Sequence, residues 1–197
     1  MIICLTGGIG SGKSHAASIL ESFGAYVLDL DDISRDILAP NTPATLRVLE
    51  LWSEAGSEGV IDRKALADIV FSDSQARAHL EAIVHPAVWD EVDSRIAQIR
   101  ELDEQAVIVL ELALLAGSSR EQWADINLGI VADENVRLER LARYRGMSAD
   151  EARARIAAQV SDREIRELCD EVIDNSGTPE ALEEALAAFW HKYVAAY

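Results

Sequence analysis

The sequence predicts an α/β fold, a parallel five-stranded sheet with helices on both faces, and three observations carry that prediction. Short apolar runs of strand length recur at 2–5, 26–28, 107–110, 126–131 and 172–173. Segments with helical apolar spacing separate them, the alternation that gives parallel sheets. The first run feeds a glycine-rich stretch that opens a helical pattern, so a ligand is expected at the carboxyl ends of the strands.

The elements follow in chain order. After the run at 2–5 and the glycines, Ala16, Ile19, Leu20 and Phe23 mark the apolar face of a first helix. Residues 40–100 offer no convincing strand but several helical pieces, the clearest with Val88, Val92, Ile96 and Ile99 on one face. A core of 1–39 and 101–197 with a helical insertion at 40–100 is therefore expected within one unit of 197 residues. His85 precedes Pro86, and the residue before proline avoids helical geometry, so a helix is expected to end there. Ser148 with Glu151 and Ser161 with Glu164 have capping-box spacing, the first after a break at Arg145 and Gly146. Thr178 and Pro179 suit the start of a last helix with Leu182, Leu186 and Phe189 as its buried stripe.

Charge narrows the function. A net charge of −17 opposes nucleic acid and anionic membranes, and neither is expected as a partner. Of three lysines, Lys13 sits among the glycines, and eight of fifteen arginines fall between Arg137 and Arg166. Positive charge so concentrated suits a bound polyphosphate. Cys4 and Cys169 define neither a disulfide framework nor a metal site and are expected to be buried thiols. The apolar start is too short for a signal-peptide core, and a cytoplasmic protein is expected, monomeric or weakly homo-oligomeric. Trp52, Trp89, Trp123 and Trp190 share no spacing and read as core or interface residues.

Gly7, Gly8, Ile9, Gly10, Ser11, Gly12, Lys13 and Ser14 fit the phosphate-loop pattern of glycine, four residues, glycine, lysine and serine or threonine. Glycines let backbone amides curl around an anion, and the following helix turns its positive end toward it. Lys13 can reach the β- and γ-phosphates of ATP, and the Ser14 hydroxyl can complete a Mg²⁺ shell. The loop alone does not separate kinases from GTPases or ATP-driven motors. Beyond the second strand, Asp29 and Asp31 can reach the ligand-bearing edge, and Arg35 lies one turn after Asp31. A carboxylate there can orient an acceptor hydroxyl and take its proton, while an arginine holds an anionic substrate. The alternative is a helix cap, which fits Asp32 and Asp29 better than Asp31. Arg137, Arg140 and Arg143 recur every third residue as a positive stripe; Glu134, at ion-pair spacing, argues that Arg137 is a solvated surface residue.

Taken in order, these residues resemble the dephospho-coenzyme A kinase family over nearly the whole chain. The match runs through Thr6 to Ser14, Asp29-Leu30-Asp31 with Arg35, Ile61-Asp62-Arg63 and Phe71. It continues through His85-Pro86, Glu111 to Leu115, Arg137 to Gln159, and Asp174-Asn175-Ser176-Gly177. The resemblance implies a three-layer P-loop core, a helical substrate-binding insertion and a lid near 137–160. It also implies ATP-dependent phosphorylation of the ribose 3′-hydroxyl of dephospho-coenzyme A. It assigns Asp31 as catalytic base, with Lys13 and a lid arginine as catalytic cations. Nucleotide binding falls to Gly8, Ile9, Gly10, Ser11, Gly12, Lys13, Ser14, His15, Arg140 and Asn175, the last near the adenine. Substrate contacts fall to Thr6, Asp31, Arg35, His85 and Leu114, and the Mg²⁺ surroundings to Ser14 and Glu111. The chain departs from the family pattern at His15 for threonine, Asn41 for glycine, Ala113 for proline and Gly117 for glutamate. Tyr144 stands where a second lid arginine belongs, leaving Arg143 or Arg145 to supply that charge; Arg143, on the stripe of Arg140, is the expected one. Another P-loop nucleotide or nucleoside kinase, and a nucleotide-binding regulator without catalysis, are the competing readings.

Overall fold

The computed structural model describes residues 1–112 and 124–194 and divides into two compact units, Met1–Asp29 with Asp103–Tyr197, and Leu30–Leu102. The sequence reading drew the insertion at 40–100; the helical unit begins ten residues earlier because α2 (Leu30–Ile37) packs on its long helix.

The first unit holds the sheet. β1 (Ile2–Gly7) leads into α1 (Lys13–Ser22), and β2 (Tyr26–Asp29) follows. After the helical unit come β5 (Ile108–Glu111), β6 (Ile126–Val131) and β7 (Glu171–Asp174), with β3 and β4 assigned to a hairpin below. All five pair in parallel in the order β2-β5-β1-β6-β7. Each expected strand is present; β1 extends through Gly7 because Thr6 and Gly7 pair with Gly129 and Ile130. Side chains alternate across the sheet. Ile3, Leu5, Val109, Leu128, Ile130 and Ile173 face one core with Ala16, Ala17 and Leu20 of α1 and Leu182, Leu186 and Phe189 of the last helix. On the opposite face, helix 162–168 fits against Gly129, where a Cβ would come 2.6 Å from Ile165 Cγ2. The core is thus a sheet between helices.

Four further helices complete this unit after β6 among the described residues. α6 (Glu134–Arg145) ends at Gly146 in left-handed geometry, the expected break. α7 (Ala149–Ala157) starts at Ser148, whose hydroxyl accepts from the Glu151 amide, and α8 (Asp162–Leu168) starts at a full Ser161–Glu164 capping box. α9 (Pro179–Tyr193) opens on Thr178, as its proline predicts. Burial pushes the Cys4 thiol up to about 12 and that of half-buried Cys169 to about 11, so both stay protonated and inert.

The helical unit contains α2, α3 (Pro43–Leu51), a short 3₁₀ turn, α4 (Arg63–Ser72) and α5 (Ser74–Leu102). One small core cluster joins Val48, Ala55 and Leu66 with half-buried Leu38, Trp52, Ile61 and Ile69, and Ile33, Val84, Val88, Val92 and Ile96 are buried as well. Two expectations are corrected here. No strand was foreseen, yet β3 (Gly56–Ser57) and β4 (Val60–Ile61) form an antiparallel hairpin; each is two residues long, too short to leave an alternating pattern. Its turn places Glu58 at φ 51, and nearby Asn41 takes φ 62, left-handed geometry that asparagine tolerates where glycine would be usual. Nor does a helix end at His85: α5 runs through Pro86 for 29 residues. Pro86 and Ala82, whose carbonyl loses its donor, are both exposed, so water can satisfy that oxygen.

Candidate active site

The end of β1 and the start of α1 frame the glycine loop. Gly12 caps α1 at φ 95, a conformation costly for any residue with a Cβ, and a Cβ there would collide with Asn175 Nδ2. Lys13 and Ser14 form the first turn of α1 and converge on one oxygen of Glu111. Ser14 Oγ donates to Glu111 Oε1 at 2.6 Å, and Lys13 Nζ lies 3.5 Å from the same atom. Glu111 ends β5, is 4% exposed, and stands in register with Leu5 on one side and Asp29 on the other. Strand pairing therefore brings two carboxylates and the loop cation to one edge of the sheet.

The loop is also held from outside. Asn175, buried just past β7, donates from Nδ2 to the Ser11 carbonyl at 2.7 Å, and Arg140 Nη1 donates to the same oxygen at 3.3 Å. Arg140 Nη2 reaches Asn175 Oδ1 at 3.5 Å. Ile9 N–H donates to Gln159 Oε1 at 2.6 Å, while Arg137 Nε donates to the Ile9 carbonyl at 2.8 Å. Arg137 corrects the surface expectation: it is 4% exposed and pairs through Nη1 with Asp162 Oδ1 at 3.2 Å. Three residues on a helix turn about 300°, so the stripe rotates from buried Arg137 through half-buried Arg140 to exposed Arg143. Arg143 Cζ lies 5.3 Å from the Tyr144 ring, away from the loop contacts of Arg137 and Arg140.

Of the remaining candidates, Thr6 is buried in β1, Gly8 and Ser11 are buried, Gly10 is half-buried, and His15 is exposed on α1. Ser11 Oγ is buried without a hydrogen-bond partner among the described residues and lies 2.7 Å from where a Cβ on Gly7 would sit. Asp31, Arg35 and His85 belong to the helical unit. Asp31 is in the first turn of α2, Arg35 pairs with Asp32, and His85 is exposed in the middle of α5. Leu114, Ala113, Gly117 and Trp123 lie outside the described residues. Gln159 and Asp162 are loop-side groups that the sequence does not single out; the expected lid near 137–160 and the capping box at Ser161 mark only their neighbourhood.

A family model described as CoaE, dephospho-CoA kinase, matches residues 1–180. The chain belongs to the dephospho-CoA kinase family. A dephospho-CoA kinase of Geobacter sulfurreducens is 37% identical over 97% of this chain and 98% of its own. The crystal structure of TT1252 from Thermus thermophilus is 34% identical, with a TM-score of 0.86 over 98% of both chains. A dephospho-CoA kinase of Campylobacter jejuni, 22% identical, shares the fold at a TM-score of 0.71 over 99% of this chain and 98% of that one. Its glycine loop and parallel sheet are thus those of a P-loop kinase family whose members act on small molecules.

Proposed function

We propose that this chain transfers the γ-phosphoryl group of ATP to the ribose 3′-hydroxyl of dephospho-coenzyme A, giving coenzyme A and ADP, the last step of coenzyme A synthesis. The observation that carries the residue-level reading is the convergence of Lys13 and Ser14 on buried Glu111 at the carboxyl edge of the sheet. Loop amides cradle the phosphates, and Lys13 leaves its carboxylate to lie along the β- and γ-phosphates. Phosphoryl transfer needs positioning and charge stabilisation more than covalent help, and a preorganised loop supplies both.

A hydroxyl and a carboxylate are hard oxygen donors, and the set at Ser14 and Glu111 fits Mg²⁺, which takes few protein oxygens and keeps waters. Ser14 and Glu111 would hold Mg²⁺, which would supply positive charge to offset that of the ATP phosphates. Asp31 is our candidate for orienting the acceptor hydroxyl and taking its proton, with Arg35 and His85 on the acceptor side. Its position two residues after the last residue of β2 supports this role; a cap for α2 is the competing one. Residues 137–160, with Arg140 against the loop, are our candidate lid, and Arg143 would have to turn inward on closure to act. We further propose a cytoplasmic enzyme, monomeric or weakly homo-oligomeric. No helix among the described residues is long and apolar enough to cross a membrane.

Coupled ADP release with dephospho-coenzyme A beside AMP, CMP and shikimate tests the acceptor. Turnover confined to dephospho-coenzyme A is expected, and turnover with one of the others in its place would overturn the reading.

A further inference from the structure

We infer that Arg137 and Gln159 are positioning residues of the phosphate loop, acting together on the backbone of Ile9. The inference rests on the reading that this loop binds ATP phosphates. Ile9 lies between Gly8 and Gly10, where the backbone has the most freedom to lose. Both of its polar backbone groups are held by side chains distant in sequence. Its N–H is held by Gln159 at 2.6 Å, 150 residues away, and its carbonyl by Arg137 at 2.8 Å, 128 residues away. Because N–H and C=O of one residue belong to successive peptide planes, the pair fixes two planes of the loop at once.

The clamp is anchored. Arg137 is buried, Asp162 at the start of α8 holds its Nη1, and its Nη2 packs where a Cβ on Gly8 would sit, 2.5 Å away. The Arg137 backbone lies against Gly10 as well, with its carbonyl 3.1 Å from the place of a Cβ there. A loop already held in shape gives up less entropy when phosphates arrive, and its amides need no reorganisation in the transition state. Were the Arg137–Asp162 pair only a tie between α6 and α8, its loss would lower the melting temperature and leave ATP kinetics alone.

The test uses Gln159→Leu, Arg137→Met and the double variant, with Arg163→Ala on the exposed face of α8 as control. Gln159 is exposed, so its variant folds even where the buried Arg137 change fails to. ATP dissociation constants, steady-state constants for both substrates, and melting temperatures are measured. Each single variant is expected to raise the ATP dissociation constant about ten-fold and lower kcat about ten-fold, with KM for dephospho-coenzyme A within about two-fold of wild type. The double variant should lose less than the product of the singles, since both act on one residue. Wild-type ATP constants in folded Gln159→Leu, or a strictly multiplicative double, would overturn the inference. The wild type is assayed in the same series: ATP binding without transfer to dephospho-coenzyme A would sink the functional reading and still leave the ATP constants to decide this one.

Discussion

In the sheet unit the glycine loop is gripped by Arg137, Arg140, Gln159 and Asn175, all more than a hundred residues away, whereas in the helical unit ion pairs run mostly between neighbours one turn apart. Arg47–Glu50, Arg77–Glu81 and Arg95–Glu91 are exposed or half-exposed pairs, each worth under about 1 kcal/mol. Arg95–Asp36 joins two helices there. Charge stabilisation of a transferring phosphoryl needs donors fixed before the reaction, and the unit that carries the glycine loop, our proposed nucleotide site, also carries the long-range braces. The helical unit's fold rests on its buried apolar side chains, and its local pairs add little. Changes near the loop should therefore register in ligand constants, and changes in the helical unit mainly in acceptor constants or not at all.

The largest expected effect tests the loop directly. Lys13→Ala removes the cation that would lie along the β- and γ-phosphates and should lower single-turnover transfer by about 10³-fold with little change in melting temperature. Near-normal transfer in the folded variant would remove the loop from the mechanism. Next come the two cores. Leu186 is fully buried beneath the sheet, and Leu186→Ala should cost about 4 kcal/mol in denaturant unfolding; Leu66→Ala, in the smaller cluster, should cost about 2 kcal/mol. Equal costs would erase the contrast between the cores. On the acceptor side, Asp31→Asn should lower kcat about 10²-fold while ATP affinity holds, since the loop and Lys13 bind the phosphates. Asp29→Asn should do less. A larger loss at Asp29, which pairs in register with Glu111, would move the base into the sheet unit.

Much of this was legible in the sequence, and the exceptions share a cause. The five strands, the loop and the caps at Ser148, Ser161 and Thr178 are written locally, as apolar runs or side chains two or three residues from the groups they bind. The braces are not. The resemblance names Asn175 and the segment up to Gln159, yet no local spacing tells which loop atoms they bind. Parallel pairing of β1, β6 and β7 brings Asn175 to the Ser11 carbonyl, and Gln159 reaches Ile9 from the turn between α7 and α8. Arg137 read as a surface residue because Glu134 offered a local partner, yet burial gives it Asp162 and Ile9. His85 reads as a helix end because a residue before proline avoids helical geometry, yet α5 continues through an exposed stretch where water can satisfy the carbonyl that Pro86 leaves without a donor.

The smallest effect separates two explanations of the contrast, sequence range and burial. Glu171 on β7 accepts from Lys192 Nζ at 2.6 Å, 21 residues away, and from the Tyr193 hydroxyl at 2.8 Å, so α9 is tied back to the sheet by a long-range but exposed pair. Those two hydrogen bonds, that of Lys192 foremost, hold the carboxyl of Glu171 below its ordinary value of 4.5. Lys192 is raised from 10.5 to about 12, chiefly by the same bond. A depressed carboxyl contributes stability above its unfolded pKa and loses it as pH falls through the folded value; a raised amine contributes below its unfolded pKa and loses it as pH rises through the folded one. The tie is therefore complete between about 4.5 and 10.5 and fades outside that window. Glu171→Gln should lower the melting temperature at pH 7 by only about 1–2 °C, because water screens the pair, and the difference from wild type should shrink as pH falls below 4.5 through the folded value. Kinetic constants should stay at wild-type values. If this exposed tie instead cost as much as the loss of a buried core contact, distance along the chain rather than burial would set the value of a brace, and the loop's special dependence on Arg137 would lose its physical basis.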